Sequence, residues 1–210
     1  MKPTISLCMI VKDEEKLLSN FLNSVKDYVD EIIIADTGSK DKTKDIAKRF
    51  AKVYDFKWCD DFSKARNFSI SKAKKDWILV LDADEKIEKD DLKKVREIIP
   101  LGEKNILGYR LIQKTYYKDK IISIRGICRV FKNDKKIGFV YPIHETVREA
   151  INILDGRIGK TGIAIKHYPK INGEKQEYYL RLLGVKKEKF PKSNVEKEIE
   201  NAIKEKLNLL

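Results

Sequence analysis

A short apolar run that ends in two carboxylates is the feature that most constrains the fold of this chain. Residues 77–81 are all apolar, and Asp82 and Asp84 follow directly, one residue apart. Apolar runs of this length, bounded by polar turns, are typical of buried strands, often in a parallel sheet. Because ligands bind outside the carboxyl ends of such strands in open α/β sheets, Asp82 and Asp84 mark a predicted binding site.

The spacing of these two carboxylates suits a divalent cation. Side chains alternate along an extended segment, so Asp82 and Asp84 share one face. Hard oxygen ligands fit Mg²⁺ or Mn²⁺, which keeps its other positions for water and substrate phosphate. The two usual glycine-rich phosphate loops do not occur in the sequence. A metal at these carboxylates, helped by Arg66 or a lysine, would therefore meet the charge of a nucleotide. The alternative is an acidic turn that only caps the next helix.

The first hundred residues alternate between strand-like and helix-like patterns. Apolar runs at residues 5–11 and 32–35 precede the run at 77–81, and a shorter strand is predicted at 53–54. Helical spacing fills the intervals, at residues 17–25, 46–50 and 60–75, and returns in a Lys/Glu-rich segment after Glu85. This order predicts a parallel, doubly wound sheet.

The second half of the chain has a different pattern of apolar and polar residues. From residue 108 to 140, short alternating apolar runs separated by turn signals predict hairpin-like antiparallel strands. A charged helix is predicted from about Glu174, with an apolar stripe at residues 178–183, and a further amphipathic helix over 194–210. Three roles are open for this tail: it caps the domain, pairs two subunits, or lies on a membrane through its basic face.

Charge and cysteine content limit the partners and the cellular compartment that we expect for this protein. The charge of +12, from 45 basic and 33 acidic residues, indicates an anionic partner or a Lys/Glu-rich solvated surface, and the interspersed acidic residues favour the latter. Three widely separated cysteines fit neither a zinc site nor a disulfide framework. With no signal-peptide pattern and no apolar run of about 18 residues, we expect a cytoplasmic protein, at most peripheral at the inner face of the membrane.

Several motifs together resemble glycosyltransferase family 2. Segments 7–15, 36–43, 61–67 and 81–85 appear in the order seen in that family, and segments 129–131, 143–145 and 167–169 are similar too. The resemblance covers roughly residues 4–170. It is strongest to the branch of lipopolysaccharide core glucosyltransferases and of glycosyltransferases fused to tetratricopeptide repeats.

The resemblance implies a GT-A fold of the α/β class. It has a Rossmann-like, mostly parallel central sheet with helices on both faces, a small antiparallel acceptor-side region and, here, a helical C-terminal tail. The chain would divide into a nucleotide-sugar-binding half (1–100), an acceptor-side half (101–173) and a helical extension (174–210). A nucleotide-diphosphate sugar, with UDP-sugar favoured, would be the donor, Mn²⁺ or Mg²⁺ the cofactor, and the reaction would invert the anomeric carbon.

The family's donor-site residues carry over by position. The nucleoside pocket would be lined by Val11, Asp13 and Glu14, with Asp36 reading the base and Arg66 beside the base or the diphosphate. This chain departs from the family's common pattern at Asp13, where Asn is frequent, and at Thr37, where a second Asp is frequent.

The metal and the phosphates have their own predicted contacts. Asp84 would bind the metal, Asp82 the ribose or the metal, and His167 the metal or a diphosphate oxygen. Arg125 or Arg129 would hold donor or acceptor phosphate.

Inversion needs a general base that deprotonates the acceptor. Glu145 is our first candidate, with His144 as its orienter or substitute; His144 as a purely structural residue is the alternative. The sequence leaves three candidate acceptors: a saccharide, a lipid-linked saccharide and a peptide side chain.

Two other functions compete with this prediction. A phosphatase or phosphotransferase of the haloacid dehalogenase type also carries Asp-x-Asp, but on its first strand and with Thr or Val where this chain has Lys86. A basic RNA-binding module would interleave aromatic and basic residues on a sheet face, and residues 116–118 are only a faint trace of that pattern. We therefore expect no nucleic-acid partner.

Overall fold

The computed structural model describes residues 2–99, 105–170 and 173–190. Its described strands are β1 (Ile5–Val11), β2 (Glu31–Asp36), β3 (Lys52–Asp55), β4 (Trp77–Val80), β5 (Glu85–Ile87), β6 (Ile106–Tyr117), β7 (Lys120–Lys132) and β8 (Arg157–His167). The described helices are α1 (Leu18–Val25), α2 (Thr43–Ala47), α3 (Phe62–Ile70), α4 (Lys89–Ile98), α5 (Arg148–Ile153) and α6 (Gly173–Lys189), and a 3₁₀ turn (Lys26–Tyr28) follows α1.

These strands form one sheet in the order β3-β2-β1-β4-β7-β6-β8-β5. The first four positions are parallel, as the alternation of strands and helices predicts. β7 is antiparallel to β4 and β6, β8 is parallel to β6, and β5 is antiparallel to β8. The parallel β3-β2-β1-β4 layer therefore continues directly into the strands of the second half.

Both faces of the parallel strands are buried, which explains their continuous apolar runs. Leu7 and Met9 of β1 pack in one cluster with α1 and α4. Cys8, between them, belongs to the opposite cluster, which contains Ile70 at the end of α3 and Ile151 of α5. Helices thus cover both faces, as predicted.

Local signals explain where two of the helices begin. The side chain of Asp61 caps α3 by accepting a hydrogen bond from the Lys64 backbone N–H at 3.1 Å. Asp41 accepts from the Thr43 N–H at 2.9 Å at the start of α2. The apolar stripe predicted for α1 is buried except at Leu17, which is 37% exposed and precedes the helix.

Three features differ from the sequence-based expectations. The antiparallel region is one long hairpin, β6–β7, rather than several short strands, because Ile121, Ile122 and Ile124 stay exposed and blur the alternation. The segment after Asp84 forms the short strand β5 before α4 begins. β8 and α5 were not predicted; their patterns mix buried and exposed residues without a clear period.

The predicted helix from about Glu174 is present as α6. Its Leu182 and Leu183 are buried against Ile143, with Tyr178 and Tyr179 packed beside them. The helix predicted over 194–210 lies outside the described residues, as does the predicted boundary at 100/101. None of the helices in the described part of the chain is long and apolar enough to cross a membrane.

Candidate active site

A cavity of about 1410 Å³ opens at the carboxyl ends of β1 and β4. Its wall combines Val11 at the end of β1, Asp82 and Asp84 after β4, and residues of the β6–β7 hairpin and α6. The volume exceeds the several hundred Å³ typical of small-molecule sites, so two substrates can be held together. All the site residues predicted from the sequence line this cavity except Asp13 and Asp36.

A buried arginine organises the floor of the cavity. Arg66, on α3 and only 5% exposed, donates from Nη1 and Nη2 to the two carboxylate oxygens of Asp82, each at 3.0 Å. Its Nε donates to Oε1 of Glu145 at 2.5 Å. Burial disfavours the charge on Arg66, but the two carboxylates outweigh it and raise its pKa. Residues far apart in the sequence are thereby fixed side by side.

A second arginine extends this network across the sheet. Arg129 of β7 donates from Nη2 to Asp82 at 3.1 Å and approaches Glu85 at 3.4 Å. Burial alone would raise the pKa of Asp82, but Arg66 and Arg129 hold it well below its usual range. For Glu85, burial outweighs the attraction of Arg129, so its pKa lies above the ordinary value. Asp82 is therefore an ionised carboxylate already committed to two arginines.

A polar chain behind Glu85 reaches the other predicted arginine. Gln113 donates to Glu85 Oε1 at 2.5 Å, and Arg125 donates from Nε to Gln113 Oε1 at 2.9 Å. Gln113 and Glu85 are both almost fully buried. Sequence reasoning missed them, because an isolated Gln and a Glu that begins an acidic helix-like segment carry no distinguishing signal. Their contacts leave the rest of the Arg125 guanidinium facing the cavity.

Asp84 and His167 are the residues best placed to hold a metal. His167 Nε2 lies 3.6 Å from Asp84 Oδ2, and its Nδ1 lies 3.3 Å from the Thr115 hydroxyl, which helps to orient the ring. The Tyr168 N–H donates to the Asp84 carbonyl at 2.9 Å and holds the two segments together. Within the described ranges no cluster of three or more potential metal-binding side chains occurs. A carboxylate and an imidazole fit a cation that takes its remaining ligands from water and phosphate.

The residues predicted for the nucleoside side separate into two groups. Val11 and Glu14 line the cavity, and Lys170 pairs with Glu14 at 2.8 Å. Asp13 instead accepts a hydrogen bond from the Lys40 N–H at 2.7 Å and ties the loop after β1 to the loop after β2. Asp36 is 2% exposed; its Oδ1 accepts from the backbone N–H groups of Gly38 and Ser39, and its buried Oδ2 has no hydrogen-bond partner in the part of the chain that the structure describes. Asp36 therefore lies outside the wall of the cavity.

His144 and Glu145 both line the cavity, in different settings. His144 is exposed and has a positive φ of 51°, in the left-handed region that few non-glycine residues adopt. Glu145 is held by Arg66.

Helix α6 closes one side of the cavity, a contribution that the sequence did not reveal. The Trp58 indole N–H donates to the Tyr178 hydroxyl at 2.9 Å, and that hydroxyl donates to Asp60 at 2.9 Å. Tyr179 packs edge-on against Phe62 and lines the cavity. Burial, followed by nearby carboxylates, raises the pKa of Tyr179, so its hydroxyl stays protonated beside the acidic residues.

The family comparison agrees with this arrangement. The model of the glycosyl transferase family 2 matches residues 6–145, from β1 through Glu145. The chain belongs to glycosyltransferase family 2. This membership favours a glycosyltransferase over the phosphatase and the RNA-binding alternatives.

Relatives with similar sequences include larger proteins. A TPR repeat-containing protein of Synechococcus elongatus is 42% identical over 148 residues, which cover 70% of this chain and 36% of that protein. The SPbeta prophage-derived glycosyltransferase SunS of Bacillus subtilis is 43% identical over 148 residues, 68% of this chain and 34% of that protein. The chain thus spans about a third of the length of these relatives.

Solved structures share the fold at low sequence identity. S. aureus TarS 1–349 in complex with UDP-GlcNAc has a TM-score of 0.63 at 16% identity, covering 86% of this chain and 65% of that one. The glucosyl-3-phosphoglycerate synthase of Mycobacterium tuberculosis, with Mn²⁺, UDP and glucosyl-3-phosphoglycerate, has a TM-score of 0.58 at 15% identity, covering 88% and 79%. These similarities confirm the predicted GT-A fold.

Proposed function

We propose that this protein is a metal-dependent, inverting glycosyltransferase. It moves a sugar from a nucleotide-diphosphate sugar, with UDP-sugar favoured, to a saccharide, lipid-linked or peptide acceptor. The observation that carries the proposal is the Asp84–His167 pair, 3.6 Å apart beside a cavity that also contains Arg125 and Arg129. The UDP-sugar and UDP–Mn²⁺ complexes of the structural neighbours support the donor class.

Mn²⁺ or Mg²⁺ would be held by Asp84 and His167, and when bound it stabilises the charge of the leaving diphosphate. Both carboxylate oxygens of Asp82 are in ion pairs with Arg66 and Arg129. We therefore propose that Asp82 contacts the ribose and orients these arginines, in preference to binding the metal directly. Arg125 and Arg129 have guanidinium nitrogens left to meet phosphate oxygens of donor or acceptor.

On the nucleoside side, Val11 and Glu14 lie against the base and ribose. Asp13 acts indirectly, because its carboxylate positions the loop after β2. Asp36 does not line the cavity, so we assign it a supporting role on the base side: its Oδ1 accepts from the backbone N–H groups of Gly38 and Ser39 and holds the loop after β2. Arg66 is fully occupied by Asp82 and Glu145, so we give it a positioning role beside the diphosphate.

Glu145 is the proposed general base. Arg66 Nε donates to its Oε1, which leaves Oε2 to accept the proton of an acceptor group that attacks the anomeric carbon. The fixed guanidinium holds the carboxylate in one orientation, so that the base is in place before the acceptor arrives. His144, exposed on the neighbouring position, orients the acceptor.

Replacing Glu145 with Gln is expected to lower turnover about 10²–10⁴-fold, the usual contribution of a positioned base. The amide still accepts the hydrogen bond from Arg66, so the affinity for UDP with Mn²⁺ should change little. Single-turnover kinetics and UDP titrations of wild type, E145Q and H144A check this. A larger loss in H144A than in E145Q would exchange the two roles.

The function itself is tested by thermal unfolding of the wild-type chain with UDP, GDP, CDP and dTDP, each with and without Mn²⁺. A ligand at 100 times its dissociation constant stabilises by about 2.7 kcal/mol, which raises Tm by several degrees in a chain of this size. We expect one diphosphate, UDP first, to give this rise only with metal. A rise with single-stranded RNA and with none of the nucleotides would refute the proposal.

The setting of the reaction is also part of the proposal. The three cysteines, Cys8, Cys59 and Cys128, are free thiols, which supports a reducing, cytoplasmic compartment. The excess of basic residues supports peripheral contact with the inner face of a membrane. Pairing of two subunits through the C-terminal helices stays a prediction.

A further inference from the structure

The outer edge of β7 is open beside the candidate active site. β6 pairs with β7 along nearly its whole length, but on the other side β4 reaches β7 only at Val130, Phe131 and Lys132. Within the described part of the chain, no backbone hydrogen bond reaches the outer edge over residues 120–129. Alternate residues there therefore present backbone N–H and C=O groups that have no partner among the described residues.

This open edge forms part of the cavity wall. The residues of β7 that line the cavity are Ile122, Ser123, Arg125, Gly126, Ile127 and Cys128. Side chains of neighbouring residues point to opposite faces of a strand. Because consecutive residues of β7 line the cavity, the cavity runs along the edge of this strand, where the backbone itself is accessible.

The open edge is aligned with the catalytic residues. β4 ends at Val80, and the chain then turns away through Asp82 and Asp84. A strand that pairs with β7 at residues 122–128 would lie in line with β4. One end of that strand would lie directly in front of these carboxylates. Residues 122–128 span about 20 Å, enough to pair with about six residues of an extended segment.

The side chains around the open edge of β7 indicate which kind of molecule binds there. Ile122 and Ile124 are 47% and 62% exposed, and the guanidinium groups of Arg110 and Arg148 have no hydrogen-bond partner among the described residues. Arg110, Arg148 and Ile122 line the same cavity. An extended peptide offers what this surface lacks: alternating backbone donors and acceptors, apolar side chains and carboxylates. Saccharides and lipid chains have no such backbone repeat.

We infer that the acceptor is an extended peptide segment with apolar and acidic side chains, which adds as a strand to the outer edge of β7. This inference rests on the proposed function. It names the substrate class on the acceptor side of the same site. The added strand would carry a nucleophilic side chain past Glu145 and Asp84.

The probe is a synthetic library of decapeptides, each with a central Ser, Thr or Cys, incubated with UDP-glucose or UDP-GlcNAc and Mn²⁺. We expect transfer to a subset rich in apolar and acidic residues. N-methylation at successive positions of the best peptide should abolish transfer with a period of two residues, because only alternate amides bond to β7. In I122E, transfer to that peptide should fall at least tenfold more than hydrolysis of the UDP-sugar; the matched variant I153E, at an 82% exposed isoleucine outside the cavity, should retain both.

Two results would overturn the inference, and they are distinguishable. Hydrolysis of the UDP-sugar together with transfer to saccharides or lipid-linked saccharides, but to no peptide of the library, would leave the glycosyltransferase and remove the peptide acceptor. Loss of peptide transfer on N-methylation without the period of two would remove the strand addition. Absence of any UDP-sugar binding or hydrolysis would remove the proposed function and this inference with it.

Discussion

Replacing Arg66 with methionine is expected to lower the free energy of unfolding by about 3–5 kcal/mol, a large share of the stability of a domain this size. The change leaves Asp82 and Glu145 without the guanidinium that now meets both of them. Methionine fills most of the space of the arginine stem, so the effect reports the stranded charges rather than a cavity. Urea denaturation at neutral pH measures it.

A matched change at the surface separates this effect from a general loss of charge. Lys93 pairs with Asp90 on α4, where both side chains are largely exposed, and K93M should leave the urea midpoint unchanged. Adding E145Q to R66M should restore part of the loss, because one of the two stranded charges is gone. Equal midpoints for R66M and wild type would show that the network does not stabilise the fold.

Replacing Asp84 with alanine is expected to lower sugar transfer on the order of 10³-fold while the fold keeps its stability. The loss follows from several kcal/mol of leaving-group stabilisation that depend on this carboxylate. Stability should stay because the Asp84 carbonyl, which accepts from the Tyr168 N–H, is retained, and the side chain only approaches His167 at 3.6 Å. Initial rates against Mn²⁺ concentration and a urea titration check both halves.

Two further variants serve as controls for the Asp84 replacement. D90A removes an exposed carboxylate of α4 and should leave turnover unchanged. D82N should differ from D84A by losing stability as well as activity, since Asp82 is bound by two arginines. Full activity of D84A with an unchanged Mn²⁺ dependence would remove Asp84 from the metal site.

Elements with one strong physical determinant could be predicted from the sequence. The parallel strands β1, β2 and β4 are buried on both faces, so their runs are continuously apolar and their ends locate the cavity. Residues at those ends, such as Asp82 and Asp84, line the cavity. Helix α3 was predictable in the same way, because Asp61 supplies its cap.

Features that depend on tertiary partners could not be predicted. Gln113 matters only because β6 places it beside Glu85, and nothing local to either residue indicates that meeting. Asp13 lies in a family motif, yet its carboxylate accepts a hydrogen bond from the Lys40 N–H and does not line the cavity, a contact that its position in the motif does not indicate. The closure by α6 needs Trp58 and Tyr178, 120 residues apart.

The position of β4 has a consequence for the order in which the chain is made. On a ribosome, β1 to β4 emerge well before β7, so the growing sheet ends for a time at β4, a strand of four buried apolar residues. Such an edge readily pairs with the wrong strand. It is covered only when Val130, Phe131 and Lys132 arrive, about fifty residues later, together with Arg129, the second counter-ion of Asp82. The nascent chain is therefore most exposed to misassembly between these two moments, and a chaperone that holds β4 would act there.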